Sequence, residues 1–346
     1  MALPAMLNIL VMMLYNMADM FFIARLGNTA MVAAVAIAMP VFTLLMAVGS
    51  MIGGGGCALI ARTLGEGSEE KVRLFSALCC WGSVLAGLLF ALLFLLFTGP
   101  ILDLLGANDE IRFYAGQYGR ILALGAPAMI FTTAFGSIVR AEGAIREGMT
   151  ANLLATAVNV VLDPLFILVL GWGVGGAAIA TVIGNTAGAV FLVRYVLTGG
   201  STLSLSLAEA LRAPLAFGKV AALGLPNGVS SFLSSVSSTL ANRLLVQYGT
   251  VAVAAMAAAS KSTLIVSMVQ MGICMGVQPL LAYSYGAGDL ARIRETLRKL
   301  SLLTISVGAA ALLLCRLFSR ELIVLFLEDA SALELGIQMI RLQTLT

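Results

Sequence analysis

The chain consists of long apolar segments that alternate with short polar links. A membrane-spanning helix needs about 20 mainly apolar residues. By that measure the pattern predicts nine complete spans and the start of a tenth, at residues 4–24, 32–60, 74–97, 114–138, 150–170, 174–197, 220–245, 251–284, 297–318 and from 333 onwards. The second and eighth segments are over-long, so we expect their ends to project beyond the hydrocarbon or to bend. Because the tenth is cut off at Thr346, we expect a chain truncated at its C-terminus.

The composition agrees with a polytopic membrane protein. Of the 346 residues, 60% are hydrophobic and 11% are charged, whereas about a quarter are charged in soluble domains. The net charge of +3 is spread over many links, which excludes a nucleic-acid-binding function. The five cysteines lie in apolar segments, and we expect them to be small buried side chains. Because histidine is absent, any proton chemistry must use carboxylates.

Basic residues predict how the spans are oriented. Twelve lie in the links after even-numbered spans and five in the links after odd-numbered spans. The even-numbered links are therefore predicted to be cytoplasmic, with the N-terminus inside. The longest polar link, at 199–219, predicts a cytoplasmic linker between an N-terminal lobe, 1–198, and a C-terminal lobe, 220–346, which holds three spans and the start of another.

The two lobes are predicted to be copies of one another. At an offset of 222 residues, Pro4 matches Pro226. After a one-residue gap, the glycine-containing turn 65–67 matches the turn 286–288. An even number of spans separates the copies, so they form a parallel repeat, as in transporters whose halves are related by an axis along the membrane normal.

Two polar residues, Asn159 and Asp163, lie near the middle of the span 150–170. A charged side chain there costs about 2.5–3.5 kcal/mol on insertion scales, so an intramembrane carboxylate indicates a functional site. Positions i and i+4 share a helix face, so the amide and the carboxylate can contact one ligand. Pro164 lacks an N–H and is expected to disturb the helix beside the acid and to free a backbone carbonyl.

A second intramembrane acid, Asp19, lies in the first predicted span. Asn16 and Tyr15 precede it by three and four residues, on the same helix face. Asp19 could instead pair with Arg25 near the outer membrane surface, which would give it a structural role. We expect a functional role because Asp19 lies more than a helical turn deeper.

Thr181 and Asn185 are spaced i and i+4 in the span 174–197. The Thr181 hydroxyl could simply bond the backbone of its own helix or a neighbouring one. Together with two carboxylates, however, amide and hydroxyl oxygens from three helices could hold Na⁺, or a buried carboxylate could bind a proton. Neither alternative needs histidine.

Several charged residues lie within or at the ends of spans. Lys261 and Arg120 could each neutralise a buried acid, contact substrate or extend to water. Arg120 lies nearer a helix end and is expected to reach water. Arg140 and Glu142 are expected at a solvated helix end.

Four segments resemble the multidrug and toxic compound extrusion transporters, the MATE family. They are LYNMADMFFIARLG at 14–27, NVVLDPLFI at 159–167, GWGVGGAAIATVIG at 171–184 and GVQPLLAYSYGAGD at 276–289. The resemblance covers the whole chain. It implies twelve helices in two six-helix lobes around a central cavity that opens alternately to the two membrane faces. It also implies export of organic, often cationic, compounds in exchange for Na⁺ or H⁺.

The resemblance also implies site residues. In one branch of the family the cation site lies in the N-terminal lobe, and it maps here to Asp19, Asn159, Asp163 and Thr181. A substrate cavity is predicted to be lined by Tyr15, Asn16, Asn185, Lys261 and Gln278. Another branch has an acid in the seventh span, which this chain lacks, so a coupling site in the second lobe is not expected.

We therefore predict an all-α membrane protein of the MATE-like, MOP-superfamily architecture, with an incomplete second lobe. It is expected to act as a monomeric antiporter in the plasma (inner) membrane, with Na⁺ or H⁺ as coupling ion, no other cofactor and no catalytic residue. Its expected substrate is a small amphipathic or cationic compound. Alternatives are a lipid-linked oligosaccharide flippase, which would need a more cationic cavity, and a membrane-embedded enzyme or assembly subunit, for which no motif is present.

Overall fold

The computed structural model describes residues 29–107, 109–198, 200–246 and 250–317, together with 337 and 339. Within these ranges nearly every residue is helical and no strand occurs. The helices are α1 (Thr29–Gly65), α2 (Glu69–Leu96), α3 (Thr98–Leu104), α4 (Asp109–Ala141), α5 (Ile145–Pro164), α6 (Gly173–Thr198), α7 (Leu207–Arg212), α8 (Phe217–Val246), α9 (Thr250–Gly286) and α10 (Leu290–Leu317). A π-helix, Leu165–Val169, continues α5, and a 3₁₀-helix, Pro214–Ala216, precedes α8.

The helices follow the predicted spans closely. Each predicted span from 32–60 to 297–318 coincides with one long helix, whereas the first span and, apart from residues 337 and 339, the tenth span lie outside the described residues. The two over-long segments become helices α1 and α9, of 37 residues each. Six described helices are long and apolar enough to cross a membrane: α1, α2, α4, α5 with its π-helical extension, α6 and α10. The protein is therefore an all-α, multi-pass membrane protein, as predicted.

One compact unit comprises, among the described residues, 29–107, 109–198, 200–228 and 279–289, and α4 forms its centre. Leu122, Met129 and Phe135 of α4 are fully buried against α1, α2 and α6. Glycine lets these neighbours approach α4 closely. A Cβ on Gly53 of α1 would lie 2.9 Å from Ala134 Cα.

A second compact unit comprises, among the described residues, 229–246, 250–278 and 290–317, together with 337 and 339. It contains most of α8 and α9 and all of α10. Within it, a Cβ on Gly308 of α10 would lie 3.4 Å from the Gln270 side-chain amide nitrogen of α9. The predicted lobe boundaries at 198 and 220 stay a prediction.

The turns that end α1 and α9 have the same hydrogen-bond pattern. The N–H groups of residues 66, 67 and 68 donate to the carbonyls of 62, 64 and 63, and those of 287, 288 and 289 donate to the carbonyls of 283, 285 and 284. Gly67 and Gly288 both have a φ of 71°, the left-handed conformation in which glycine ends a helix. The two turns correspond residue by residue at an offset of 221, where the predicted repeat aligns them.

The predicted linker packs onto the end of α4 through the carboxylate of Glu142. The Ser201 hydroxyl donates to both Glu142 oxygens at 2.8 and 2.9 Å, and the Thr202 hydroxyl and N–H each donate to Oε2 at 3.2 Å. We call Glu142, Ser201 and Thr202 the linker anchor. Glu142 is partly buried, so the expectation of a merely solvated helix end was wrong for this residue.

Further contacts fasten the linker to α2. The Ser204 N–H donates to Ser76 Oγ at 2.8 Å, and the Trp81 indole N–H donates to the Leu205 carbonyl at 3.1 Å. On α7, Glu209 forms an ion pair of 2.9 Å with Arg73 of α2. The linker is thus held along its length by the helices it follows.

Candidate cation site

Three of the predicted site residues, Asn159, Asp163 and Thr181, lie together between α5 and α6. Their exposed fractions are 2%, 0% and 1%. The Asn159 side-chain N–H₂ donates to Asp163 Oδ1 at 3.4 Å and to Thr181 Oγ1 at 3.3 Å. We call these three residues the candidate cation site. The structure thus brings the i, i+4 pair on α5 together with the polar residue of α6.

Small residues on α6 bring the two helices close enough for these contacts. A Cβ on Gly184 would overlap the Ala155 carbonyl oxygen and would lie 3.1 Å from Asn159 Cβ. A Cβ on Gly188, one turn later, would lie 3.0 Å from the Ala151 carbonyl oxygen. Backbones can approach this closely only where one of them lacks a side chain. The glycines therefore set the separation that places Thr181 beside Asn159.

The helix changes its winding immediately after the acid. The α-helix ends at Pro164, and Leu165–Val169 form a π-helix. At its end the Leu170 N–H donates to the Leu165 carbonyl, five residues earlier, at 2.9 Å. Proline cannot donate to the preceding turn, and π-helical turns often occur at functional sites. The disturbance that was predicted beside Asp163 is therefore present as an altered winding.

Two further residues hold α6 in register. The Asn185 side-chain N–H₂ donates to the Thr181 carbonyl at 2.9 Å, and the Thr132 hydroxyl of α4 donates to the Asn185 carbonyl at 2.8 Å. Asn185, predicted to line a substrate cavity, is half-buried and bonds its own helix. Thr132 is 2% exposed and was missed in the sequence, where it and the adjacent Thr133 give no signal beyond their polarity.

The side-chain oxygens of Asn159, Asp163 and Thr181 are the atoms of the site that could bind a cation. Asn159 Oδ1 is buried and accepts no hydrogen bond from any described residue. It lies on the amide whose nitrogen already faces the Asp163 carboxylate and the Thr181 hydroxyl. A buried acceptor is normally paired, and carboxylate, carbonyl and hydroxyl oxygens are the ligands that hard cations prefer.

The other predicted site residues are placed as follows. Asp19, Asn16 and Tyr15 lie outside the described residues, and so does the side chain of Lys261. Gln278 is partly buried on α9, in the other compact unit. Arg120, for which contact with water was expected, is exposed on α4.

Comparison with known proteins identifies the family. The family described as MatE matches residues 4–165 and 226–346 of this chain. The multidrug export protein MepA of Staphylococcus saprophyticus is 27% identical over 338 residues, which cover 98% of this chain and 75% of the relative. MepA of Staphylococcus aureus is 29% identical over 297 residues, which cover 86% of this chain and 66% of the relative. The chain thus spans only part of the length of these relatives.

Solved structures agree with this fold. A MOP superfamily transporter from Pyrococcus furiosus is 25% identical, with a TM-score of 0.86 and coverage of 98% of this chain and 75% of that one. A MATE crystal structure in the straight conformation is also 25% identical, with a TM-score of 0.87 and coverage of 98% and 76%. These matches confirm the predicted architecture and the prediction of a transporter in place of an enzyme. The chain belongs to the MatE family of membrane transporters.

Proposed function

We propose that this protein exports small organic compounds in exchange for Na⁺ or H⁺. The ion binds at the candidate cation site, and Asp19 completes that site. The relatives named as multidrug export proteins supply the direction and the substrate class. One observation carries the proposal. The fully buried Asp163 carboxylate lies beside the Asn159 amide, whose buried oxygen accepts no hydrogen bond from the described residues. Export takes place across the plasma membrane, with the N-terminus in the cytoplasm.

Binding of a cation here follows from the cost of burial. A carboxylate within a membrane is unfavourable unless its charge is compensated. Na⁺ or H⁺ would compensate Asp163, and Na⁺ would in addition use the Asn159 and Thr181 oxygens. The same residues can bind either ion, because Na⁺ needs several oxygen ligands and H⁺ needs only the carboxylate.

Exchange requires that the cation and the substrate favour different conformations. The π-helix gives α5 a point beside Asp163 at which hydrogen bonds can shift register when the site is occupied or vacated. Cation uptake from outside would favour the conformation that releases substrate, and cation release into the cytoplasm would favour reloading. The substrates themselves are expected to be small amphipathic or cationic organic compounds.

Efflux of a fluorescent organic cation from proteoliposomes, under separate Na⁺ and pH gradients, tests the proposal. We expect one of the two gradients to drive efflux, and Thr181→Val to weaken the response to Na⁺ if Na⁺ is the ion. Thr186→Val is the matched control, because Thr186 lies on the same helix, is exposed, and among the described residues its hydroxyl donates to the Val182 carbonyl of that helix alone. Efflux that follows neither gradient would rule out the proposal.

A further inference from the structure

The ends of α1 and α9 cross at a pair of glycines. A Cβ on Gly65 would overlap the Tyr283 carbonyl oxygen and would lie 2.9 Å from the Ala287 nitrogen. A Cβ on Gly286 would overlap the Arg62 carbonyl oxygen and would lie 2.8 Å from the carbonyl carbon. Each glycine therefore faces the backbone of the other helix, so the contact is reciprocal.

A second reciprocal contact joins α1 to α8. A Cβ on Gly55 would overlap the Val220 carbonyl oxygen and would lie 2.8 Å from the Gly224 nitrogen. A Cβ on Gly224 would overlap the Met51 carbonyl oxygen. The two contacts lie ten residues apart on α1, or about 15 Å along a helix.

These contacts differ from those on the opposite face of α1. Where Gly53 and Gly56 meet α4 and α2, the surroundings are fully buried side chains such as Ile60 and Ile138. At the crossings with α8 and α9 the neighbouring side chains differ in exposure: Tyr283 is 42% and Leu223 49% exposed, whereas Val220 is fully buried. Contact at these crossings is made through backbone atoms at glycines, so a side chain added at either glycine would meet the backbone of the other helix.

A buried hydroxyl lies at the α1–α9 crossing. Ser284, between the two exposed tyrosines of α9, is 1% exposed, and its Oγ makes no hydrogen bond within the described part of the chain. Buried hydroxyls are usually paired. This unsatisfied group favours separation of the crossing, because Ser284 would then reach water.

We propose that Gly65 and Gly286, supported by Gly55 and Gly224, form a separable closure at the predicted cytoplasmic end of the protein. The proposal rests on the proposed function, since a transporter that alternates between the two membrane faces must open and close this end. α1 stays packed on α4, and residues 283–287 of α9 and 220–224 of α8 move away from it. A side chain at either glycine position would hold the closure apart.

Labelling of a thiol at position 284 tests the closure without any transport measurement. In nanodiscs, the variant Cys274→Ser with Ser284→Cys should react slowly with a water-soluble maleimide, because position 284 is buried and the remaining cysteines are buried too. Adding Gly286→Ala should raise the labelling rate by about tenfold, because the methyl group overlaps backbone atoms.

Gly228→Ala is the matched control. Gly228 is one turn after Gly224 on α8, and its Cβ would make only ordinary contacts of 3.8–3.9 Å with Met51. Equal labelling rates for Gly286→Ala and Gly228→Ala would overturn the proposal. Labelling that spreads to buried Cys79 would also overturn it, because it would show that Gly286 maintains the fold and not a closure.

A second variant avoids any added group at the glycines. The Arg62 guanidinium carbon lies 5.1 Å from the Tyr285 ring centroid, across the crossing. A short cleavable cross-link between cysteines placed at these two positions should stop efflux, and its cleavage should restore efflux. Full efflux with the link intact would contradict the closure. The labelling rates could follow these predictions while efflux responds to no cation gradient. That outcome would support the closure and rule out the proposed antiport.

Discussion

Two carboxylates in this protein, Glu142 and Asp163, are held by neighbouring polar side chains in different ways. Glu142 in the linker anchor receives four hydrogen bonds of 2.8–3.2 Å from Ser201 and Thr202. In the candidate cation site, the described hydrogen bonds from Asn159 are 3.3 and 3.4 Å long, beyond the usual 2.7–3.2 Å range. The carboxylate at the helix end holds a linker, whereas inside the membrane span the Asn159 amide makes only long hydrogen bonds, and its Oδ1 accepts none from the described residues.

The largest expected effects come from removing oxygens from the candidate cation site. Asn159→Ala deletes the amide oxygen, and Thr181→Val deletes the hydroxyl with little change in shape. A ligand lost from a buried charged group costs about 1.5–3 kcal/mol. If Na⁺ is the ion, each change should therefore raise the Na⁺ concentration for half-maximal efflux by about tenfold or more. An unchanged half-maximal concentration for both variants would show that these oxygens do not bind Na⁺.

A methyl group at Gly184 tests whether the close approach of α5 and α6 builds the site. Gly184→Ala would overlap the Ala155 carbonyl oxygen, and we expect a loss of about 1–3 kcal/mol in stability, measured as a lower thermal unfolding temperature in detergent. Gly136→Ala is the control, because its Cβ would lie 3.8 Å from its neighbours. Equal unfolding temperatures would mean that the helices can separate at Gly184 without cost.

Removing the linker anchor should have a smaller and local effect. Glu142→Ala leaves the Ser201 and Thr202 donors to water, so we expect faster amide hydrogen exchange over residues 201–206 and little change in α5 and α6. Hydrogen bonds to a charged group contribute about 1.5–3 kcal/mol to stability. Because the Glu142 carboxylate is only partly buried, we expect Glu142→Ala to lower the local stability of the linker by the lower end of that range. Faster exchange throughout the helices would contradict a local role.

The smallest expected effect is on pH dependence at the linker. A hydrogen bond from the Ser204 hydroxyl, followed by the Arg73 guanidinium, holds the pKa of Glu209 below its usual range. A lowered folded-state pKa contributes stability above the ordinary carboxyl value of about 4.3, and that stability is lost as the pH falls through the lowered pKa. Hydrogen exchange over residues 203–212 should therefore accelerate in acid beyond its intrinsic rate. Glu209→Gln should lack this acceleration, and identical pH profiles would refute the assignment.

The sequence predicts the helices well because their physical signal is strong. Eight predicted spans coincide with helices, since a run of apolar residues long enough for a membrane satisfies its backbone only as a helix. The pair Asn159 and Asp163 could be predicted for the same reason, because polar residues in such a run are few and their i, i+4 spacing fixes a common face.

Other features depend on tertiary contacts that no local pattern specifies. The anchoring of Ser201 to Glu142 spans 59 residues, and the bond from Thr132 to Asn185 spans 53. Residues 199–219 therefore looked like a polar linker, and their packing could not be foreseen. The close approach at Gly184 left a trace in its four-residue spacing with Gly188, but glycine is too common here, at 36 residues, for that spacing to decide.

We propose that Asp163 binds the coupling ion, and this can be tested by exchanging one carboxylate for an amide in the candidate cation site and one in the linker anchor. Gradient-driven efflux of a fluorescent cation from proteoliposomes would be measured for Asp163→Asn and for Glu142→Gln, at equal amounts of folded protein. We predict that Asp163→Asn abolishes the response to the driving gradient and that Glu142→Gln retains it within about twofold, since Glu142 lies outside the candidate cation site. Undiminished gradient-driven efflux by Asp163→Asn would contradict the claim.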